Sequence, residues 1–252
     1  MKKLILANWK MFKTLEEIKM FAKEFNELLS KIENKAEYGI GVPSIYLTQA
    51  KEILKNVNII AQDAHFKKEG AFTGNISYSQ LLDCGINGSI IGHSERRQMF
   101  NETDETVNLK TKALLENKML AVLCIGETIE EYESKKSFDV IWNQTKKALN
   151  NVTEDELANL VIAYEPVWAI GTGKVPSGKE VNDLIQKLRD NLKTIYSEEK
   201  INSLKILYGG SVNDKNAVEF FQQKNIDGAL VGSFALKAEN FVKLIEIGGK
   251  NE

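Results

Sequence analysis

The run AYEPVWAIGTGKVPSG, Ala163 to Gly178, sets one carboxylate, Glu165, directly before a proline. A glycine-rich stretch and a second proline follow, in a chain with only 3 prolines among 252 residues. Elsewhere NWK carries Asn8 and Lys10, GHSERR carries His93 and Glu95, and YGGSV and VGSFA carry Gly209-Gly210 and Gly232. One carboxylate, one imidazole and one ammonium suit proton abstraction beside a carbonyl. That reaction needs a base toward carbon, and neutral and cationic donors toward the oxyanion that develops. Strand-ending glycines that precede helix starts leave backbone N–H groups bare, and such groups bind phosphate. The sequence has no HExxH, cysteine cluster, Asp-rich metal loop or nucleophile elbow to point to other chemistry. Singly, each residue has a plainer reading: a solvated lysine, a structural histidine, a helix-capping glutamate, tight-turn glycines. Their shared position after apolar runs is what links them. His65, the other histidine, reads as structural or exposed.

The elements that must position these groups are legible as eight short apolar runs: 4–8, 38–42, 58–62, 88–92, 120–126, 160–165, 205–210 and 228–232. Most are nearly continuous in apolar character, as strands covered on both faces are. Amphipathic segments separate them. Leu15, Ile18, Phe21, Ala22, Phe25, Leu28 and Leu29 share one helical face, and Val181, Leu184, Ile185, Leu188, Leu192 and Ile195 share another. Thr153 with Glu156, and Ser177 with Glu180, have the spacing of capping boxes that open helices. Ser94 is placed to cap a short helix whose N–H groups would face His93 and disfavour its charged form. Strand and helix alternating eight times predict a parallel sheet closed into a single (β/α)8 barrel domain over residues 1–252, an α/β fold. An open doubly wound sheet is the alternative, but its GxGxxG after the first strand is missing. In a barrel the site lies at the C-terminal ends of the strands, where all the residues above fall.

Net charge −2 and 27% charged residues argue against a nucleic-acid or membrane-surface protein. The opening MKKLILANWK has too short an apolar run for a signal peptide, and no run is long enough to span a membrane. Cys84 and Cys124 lack metal-ligand spacing and read as buried free thiols in a reducing cytoplasm, the expected location.

The stretches ANWKM, GAFTGNIS, IGHSERR, LCIGET, AYEPVWAIGTGK, YGGSV and GALVG, in this order over nearly the whole chain, resemble the triosephosphate isomerase family. That resemblance implies interconversion of dihydroxyacetone phosphate and D-glyceraldehyde 3-phosphate, without cofactor or metal. It implies Glu165 as base, His93 as neutral proton carrier between the two oxygens, and Lys10 as the positive charge, with Asn8 donating beside it and Glu95 holding Lys10. Gly171, Ser211, Gly232 and Ser233 would offer N–H groups to phosphate. The family is itself the usual illustration of a neutral active-site histidine and of a closing loop, so both points come with the resemblance. Pro166 and Pro176 would then bound a lid in which Val167, Trp168, Ala169 and Ile170 exclude water, Gly171 approaches phosphate, and Gly173 and Lys174 form a hinge. A homodimer is also implied, with Thr73 on the GAFTG loop reaching the partner's site; from its residues alone that loop reads as a solvent-facing turn.

Three positions depart from the family pattern. Phe12 stands where Asn is usual, near the subunit contact. Asn75 stands where Glu is usual, which takes a charge partner from an arginine of SERR. Ser233 stands where a second glycine is usual, and keeps its N–H. Another phosphosugar isomerase on the same barrel, or a non-catalytic binding role, is the alternative function. The first leaves NWK and the lid unexplained, and the second would be marked by a lost catalytic residue.

Overall fold

The computed structural model describes residues 1–33, 36–170 and 175–250. Its eight strands are β1 (Leu4–Asn8), β2 (Glu37–Gly41), β3 (Asn58–Ile60), β4 (Gly88–Ile91), β5 (Leu120–Ile125), β6 (Leu160–Tyr164), β7 (Lys205–Tyr208) and β8 (Gly228–Val231). They form one parallel sheet in the order β3-β2-β1-β8-β7-β6-β5-β4. Its two edges meet through Ala61, whose N–H donates to Gly88 O and whose O accepts the Ile90 N–H, both at 2.9 Å. The sheet is therefore a barrel, as the strand-helix alternation predicts.

Strand alternation divides the apolar residues into two cores. Leu4, Leu6, Ile60, Ile90, Val122, Cys124, Val161, Ala163, Leu207 and Leu230 fill the inside of the barrel. Ile5, Ala7, Ile40, Ile59, Ala121, Leu123, Ile162 and Ile206 point outward against the helices. Each fully buried Leu, Ile or Phe contributes about 1.5–3 kcal/mol by leaving water. Continuing the inward parity two residues past the last inward apolar side chain reaches Asn8, Gln62, Glu165, Gly209 and Gly232. One period-2 pattern thus builds the core and the layer of polar groups above it.

The helices follow the same economy. In Leu15–Leu29 a Thr14–Glu17 capping box fixes the start, and Ile18, Phe21, Ala22 and Phe25 are buried. In Gly178–Leu192 the Ser177–Glu180 box is present in both directions, and Val181, Ile185, Leu188 and Leu192 are buried. Ile195 lies beyond that helix and is exposed, because the chain has left helical geometry and the apolar stripe no longer points inward. The Thr153–Glu156 expectation is corrected in part. Glu156 accepts from the Thr153 N–H at 2.6 Å and hydroxyl at 2.8 Å. The segment that follows is a short 3-10 turn, Asp155–Asn159, with Glu154 at its cap position and no side-chain cap bond, and not an α-helix. Cys124 is buried, but Cys84 is exposed at the end of the helix Tyr78–Asp83 and corrects the reading of two buried thiols.

One ion pair fastens a helix to the barrel floor. Arg189, on Gly178–Leu192, meets Asp227 at 2.5 Å with both side chains about 7% exposed. It also donates to the carbonyls of Ile201 and Leu204, at 2.7 and 3.0 Å. Among the described residues no helix is long and apolar enough to cross a membrane.

Candidate active site

The strand ends converge on one cavity of about 620 Å³, whose lining includes Asn8, Lys10, His93, Glu95, Glu165, Ser211, Gly232 and Ser233. Eight of the residues singled out in the sequence are thus brought together. Thr73 is apart, exposed on the loop after β3. Gly171, Gly173 and Lys174 lie outside the described residues.

Glu165 follows β6 and its side chain is almost fully buried. Its Oε1 is 3.1 Å from His93 Nε2, and its Oε2 accepts the Ser94 N–H at 3.2 Å. Room for that carboxylate comes from a glycine: a Cβ on Gly209 would stand 2.7 Å from Glu165 Cγ and 3.2 Å from Tyr164 O. Burial raises the Glu165 carboxyl, but His93 beside it and the Ser94 N–H outweigh burial and leave it below its ordinary value.

His93 breaks the strand parity, and the break is made by Gly92 at φ +71°, a left-handed turn that glycine takes without strain. His93 itself, not Ser94, occupies the cap position of the helix Ser94–Met99, with Nδ1 accepting the Glu95 N–H at 3.2 Å. The reason is reach: the imidazole extends back over the helix start, where Ser94 is already the first helical residue. A lone pair committed to that N–H leaves Nε2 to carry the proton of the neutral ring. Burial lowers the His93 pKa, yet the Glu165 carboxylate outweighs it and raises the ring above its ordinary value. The expectation of a ring kept neutral by the helix start is modified accordingly. Glu165 against Nε2 works toward the charged form, while burial and the Glu95 N–H donated to Nδ1 work toward the neutral one.

Lys10 sits just past β1 in left-handed backbone geometry, φ 49°, which is uncommon for a residue with a side chain. Its Nζ meets Glu95 Oε1 at 2.6 Å, and its N–H donates to Asn8 Oδ1 at 3.0 Å. Gly232 closes the other side, where an added Cβ would stand 3.4 Å from Lys10 Cε. Ser233 opens the short 3-10 helix Ser233–Leu236, a position that accepts a side chain. Phe12 is exposed and lines the same cavity.

Two supporting residues escaped the sequence reading. Gln62 donates from Nε2 toward Asn8 Oδ1, Lys10 O and Gly41 O, at 3.3, 2.9 and 3.0 Å. Its signal was parity, two residues after inward Ile60. Glu127, fully buried, gathers donors on Oε1: Trp168 Nε1 at 2.9 Å, Tyr164 OH at 3.0 Å and Ser137 Oγ at 3.2 Å. Burial pushes its carboxyl up despite them. No local pattern in LCIGET marks it. His65 stacks on Phe66 and Phe72 with centroids 4.4 and 4.1 Å apart, a structural place in its loop. The expected loss of an arginine's partner at Asn75 is met within the chain: Arg96 lies 2.9 Å from Asp63 and 3.4 Å from Glu102.

A family model described as triosephosphate isomerase matches residues 3–248. A triosephosphate isomerase of Malacoplasma penetrans (strain HF-2) is 74% identical over 249 residues, covering 99% of this chain and 100% of that protein. One of Mycoplasmoides gallisepticum (strain R(low / passage 15 / clone 2)) is 45% identical, covering 98% of each. One of Thermoanaerobacter pseudethanolicus (strain ATCC 33223 / 39E) is 42% identical, covering 96% of this chain and 98% of that protein.

Proposed function

The chain belongs to the triosephosphate isomerase family, and from that membership we propose that it interconverts dihydroxyacetone phosphate and D-glyceraldehyde 3-phosphate through an enediolate, with Glu165 as the proton carrier. The observation that supports these roles best is the meeting of Glu165, His93 and Lys10, from three different strand ends, in one cavity. Substrate binding displaces the Glu165 carboxylate from His93 Nε2 and the Ser94 N–H. The carboxylate then takes a proton from the carbon beside the carbonyl and returns it to the neighbouring carbon. The substrate oxygen takes the place on Nε2–H that Glu165 held, and His93 moves protons between the two oxygens. Lys10 supplies positive charge to the bound substrate and to the oxyanion that develops from it. The N–H groups of Ser211, Gly232 and Ser233, joined by Gly171, hold the phosphate.

The enzyme acts as a homodimer on this reading. Met11, Phe12, Ile45, Phe72, Met99 and Phe100 are exposed on the segments that follow β1, β2, β3 and β4, Met99 ending the helix Ser94–Met99. A second copy would cover them and bring its Thr73 to Asn8 and Lys10.

Replacing Glu165 by Gln tests the central role. Turnover in a coupled isomerase assay is expected to fall by about 10²–10⁴-fold with melting behaviour retained. Near-wild-type turnover in the variant would overturn the assignment.

A further inference from the structure

We propose that the consecutive residues Gln62 and Asp63 are positioning residues for the Lys10–Glu95 pair, each holding one member of it. The inference rests on the role given to Lys10 above. Gln62 works on the lysine side. Its Nε2 shares two hydrogens among Asn8 Oδ1, Lys10 O and Gly41 O, at 3.3, 2.9 and 3.0 Å. Asn8 Oδ1 in turn accepts the Lys10 N–H at 3.0 Å. Both the N–H and the C=O of Lys10 are therefore tied down, and that is the residue at φ 49°. Backbone held in so sparsely populated a region persists only where its surroundings over-determine it.

Asp63 works on the glutamate side. Its two oxygens divide between Arg96 Nη2 at 2.9 Å and Lys110 Nζ at 2.7 Å. Arg96 directly follows Glu95 on the helix Ser94–Met99. Glu102 closes the set, pairing with Lys110 and standing 3.4 Å from Arg96 Nε. Lys110 and Glu102 have side chains 8% and 2% exposed, so this cluster is a fixed post and not a solvated surface pair. Arg96 is the most exposed member at 31%, and Asp63 ties it to the chain just past β3.

The geometry closes into a ring. From Asp63 it runs through Arg96 to Glu95, from Glu95 Oε1 across 2.6 Å to Lys10 Nζ, and from the Lys10 main chain back to Gln62. One dipeptide sets the distance between an ammonium and its carboxylate, and so the point in the cavity at which the ammonium meets substrate. Loss of a positioning residue should act only through the pair it positions.

The test is a double-mutant cycle on the full chain, read as KM and kcat with melting temperature recorded beside them. Asp63→Asn keeps shape and removes the charge. It is expected to raise KM by about three- to tenfold with kcat changed less than about twofold, the pattern of weakened uniform binding. In a Glu95→Gln background the same substitution should change KM by less than about 1.5-fold, because coupled neighbours do not add. An undiminished factor in that background, or an unchanged KM with only a lower melting temperature, would overturn the proposal. Gln62→Leu leaves all four charges in place and supplies the same comparison against Lys10→Met should Asp63→Asn fail to fold. Lys10→Met alone separates the two levels. If it keeps wild-type kinetics, the role of Lys10 fails. If it loses them while Asp63→Asn leaves KM unmoved, only the clamp fails.

Discussion

The carboxylate proposed to move the proton is surrounded by atoms that limit where it can go. Gly209 sets one of these limits on the side chain, since any Cβ there comes within 2.7 Å of Glu165 Cγ. Gly209→Ala should therefore displace the base while leaving its identity intact. A shift of about 1 Å at a reacting group can cost on the order of 10²-fold in rate. The expectation is a fall in kcat of roughly 10- to 100-fold with KM changed little, measured by steady-state kinetics in both directions. An alanine variant with unaltered kcat would mean that Glu165 relaxes freely, and the glycine would be packing alone. At this scale the sequence was informative about residue type and strand end, and silent about contact. Glu165, His93 and Lys10 were each legible because they follow apolar runs. That His93 would serve as its own helix cap was not, because ring orientation depends on a φ +71° turn at Gly92 that leaves no periodic trace.

Elements were legible where one face or both were continuously apolar. All eight strands fall within or beside the runs read from the sequence, since burial on both sides leaves little freedom in composition. Ends were less legible. β3 stops at Ile60 and β7 at Tyr208, although Ala61 and Gly209 still make backbone bonds to the neighbouring strands and the apolar or glycine run continues. Gln62 went unnoticed inside NIIAQ because a lone amide in an apolar run looks like a strand end, and only inward parity separates it from one. Asp63, Arg96, Glu102 and Lys110 lie 47 residues apart at their widest and are joined only by closure of the barrel between β3 and β4. The Arg189–Asp227 pair has the same character, spanning 38 positions between a helix and the foot of β8. Removing one partner of a buried pair strands the other charge, at a cost of about 3–5 kcal/mol. Arg189→Met should lower unfolding free energy by that amount in urea titration, with kcat of the folded fraction unchanged. A loss under about 1 kcal/mol would show that water reaches Asp227 and replaces the guanidinium.

Across the whole molecule, the loops after the first four strands leave large apolar side chains in water. Met11 is 95% exposed, Ile45 72%, Met99 70% and Phe100 64%. Large apolar side chains left in water after neighbouring strands suit an interaction surface, and the proposed occupant is a second copy. Thr73→Arg would place a charge where the exposed loop enters the partner. Light scattering behind size exclusion should then show a monomer, with kcat/KM reduced by at least about tenfold because burying an unpaired charge is strongly unfavourable. A variant that stayed dimeric with full activity would locate the contact elsewhere.

The inward layer at the top of the barrel is uneven. β1, β3 and β6 send Asn8, Gln62 and Glu165 into it, whereas the other five strands reach it with Gly41, Gly92, Gly126, Gly209 and Gly232. On the proposed reaction, a flat intermediate gripped by its phosphate after β7 and β8 offers a single face to the inward carboxylate after β6. Hydrogen would then leave and return on that face alone. Of the two hydrogens on the ketose carbon, one is expected to exchange with solvent deuterium and its twin to be spared. The handedness of the aldose is then decided by which strand carries the glutamate.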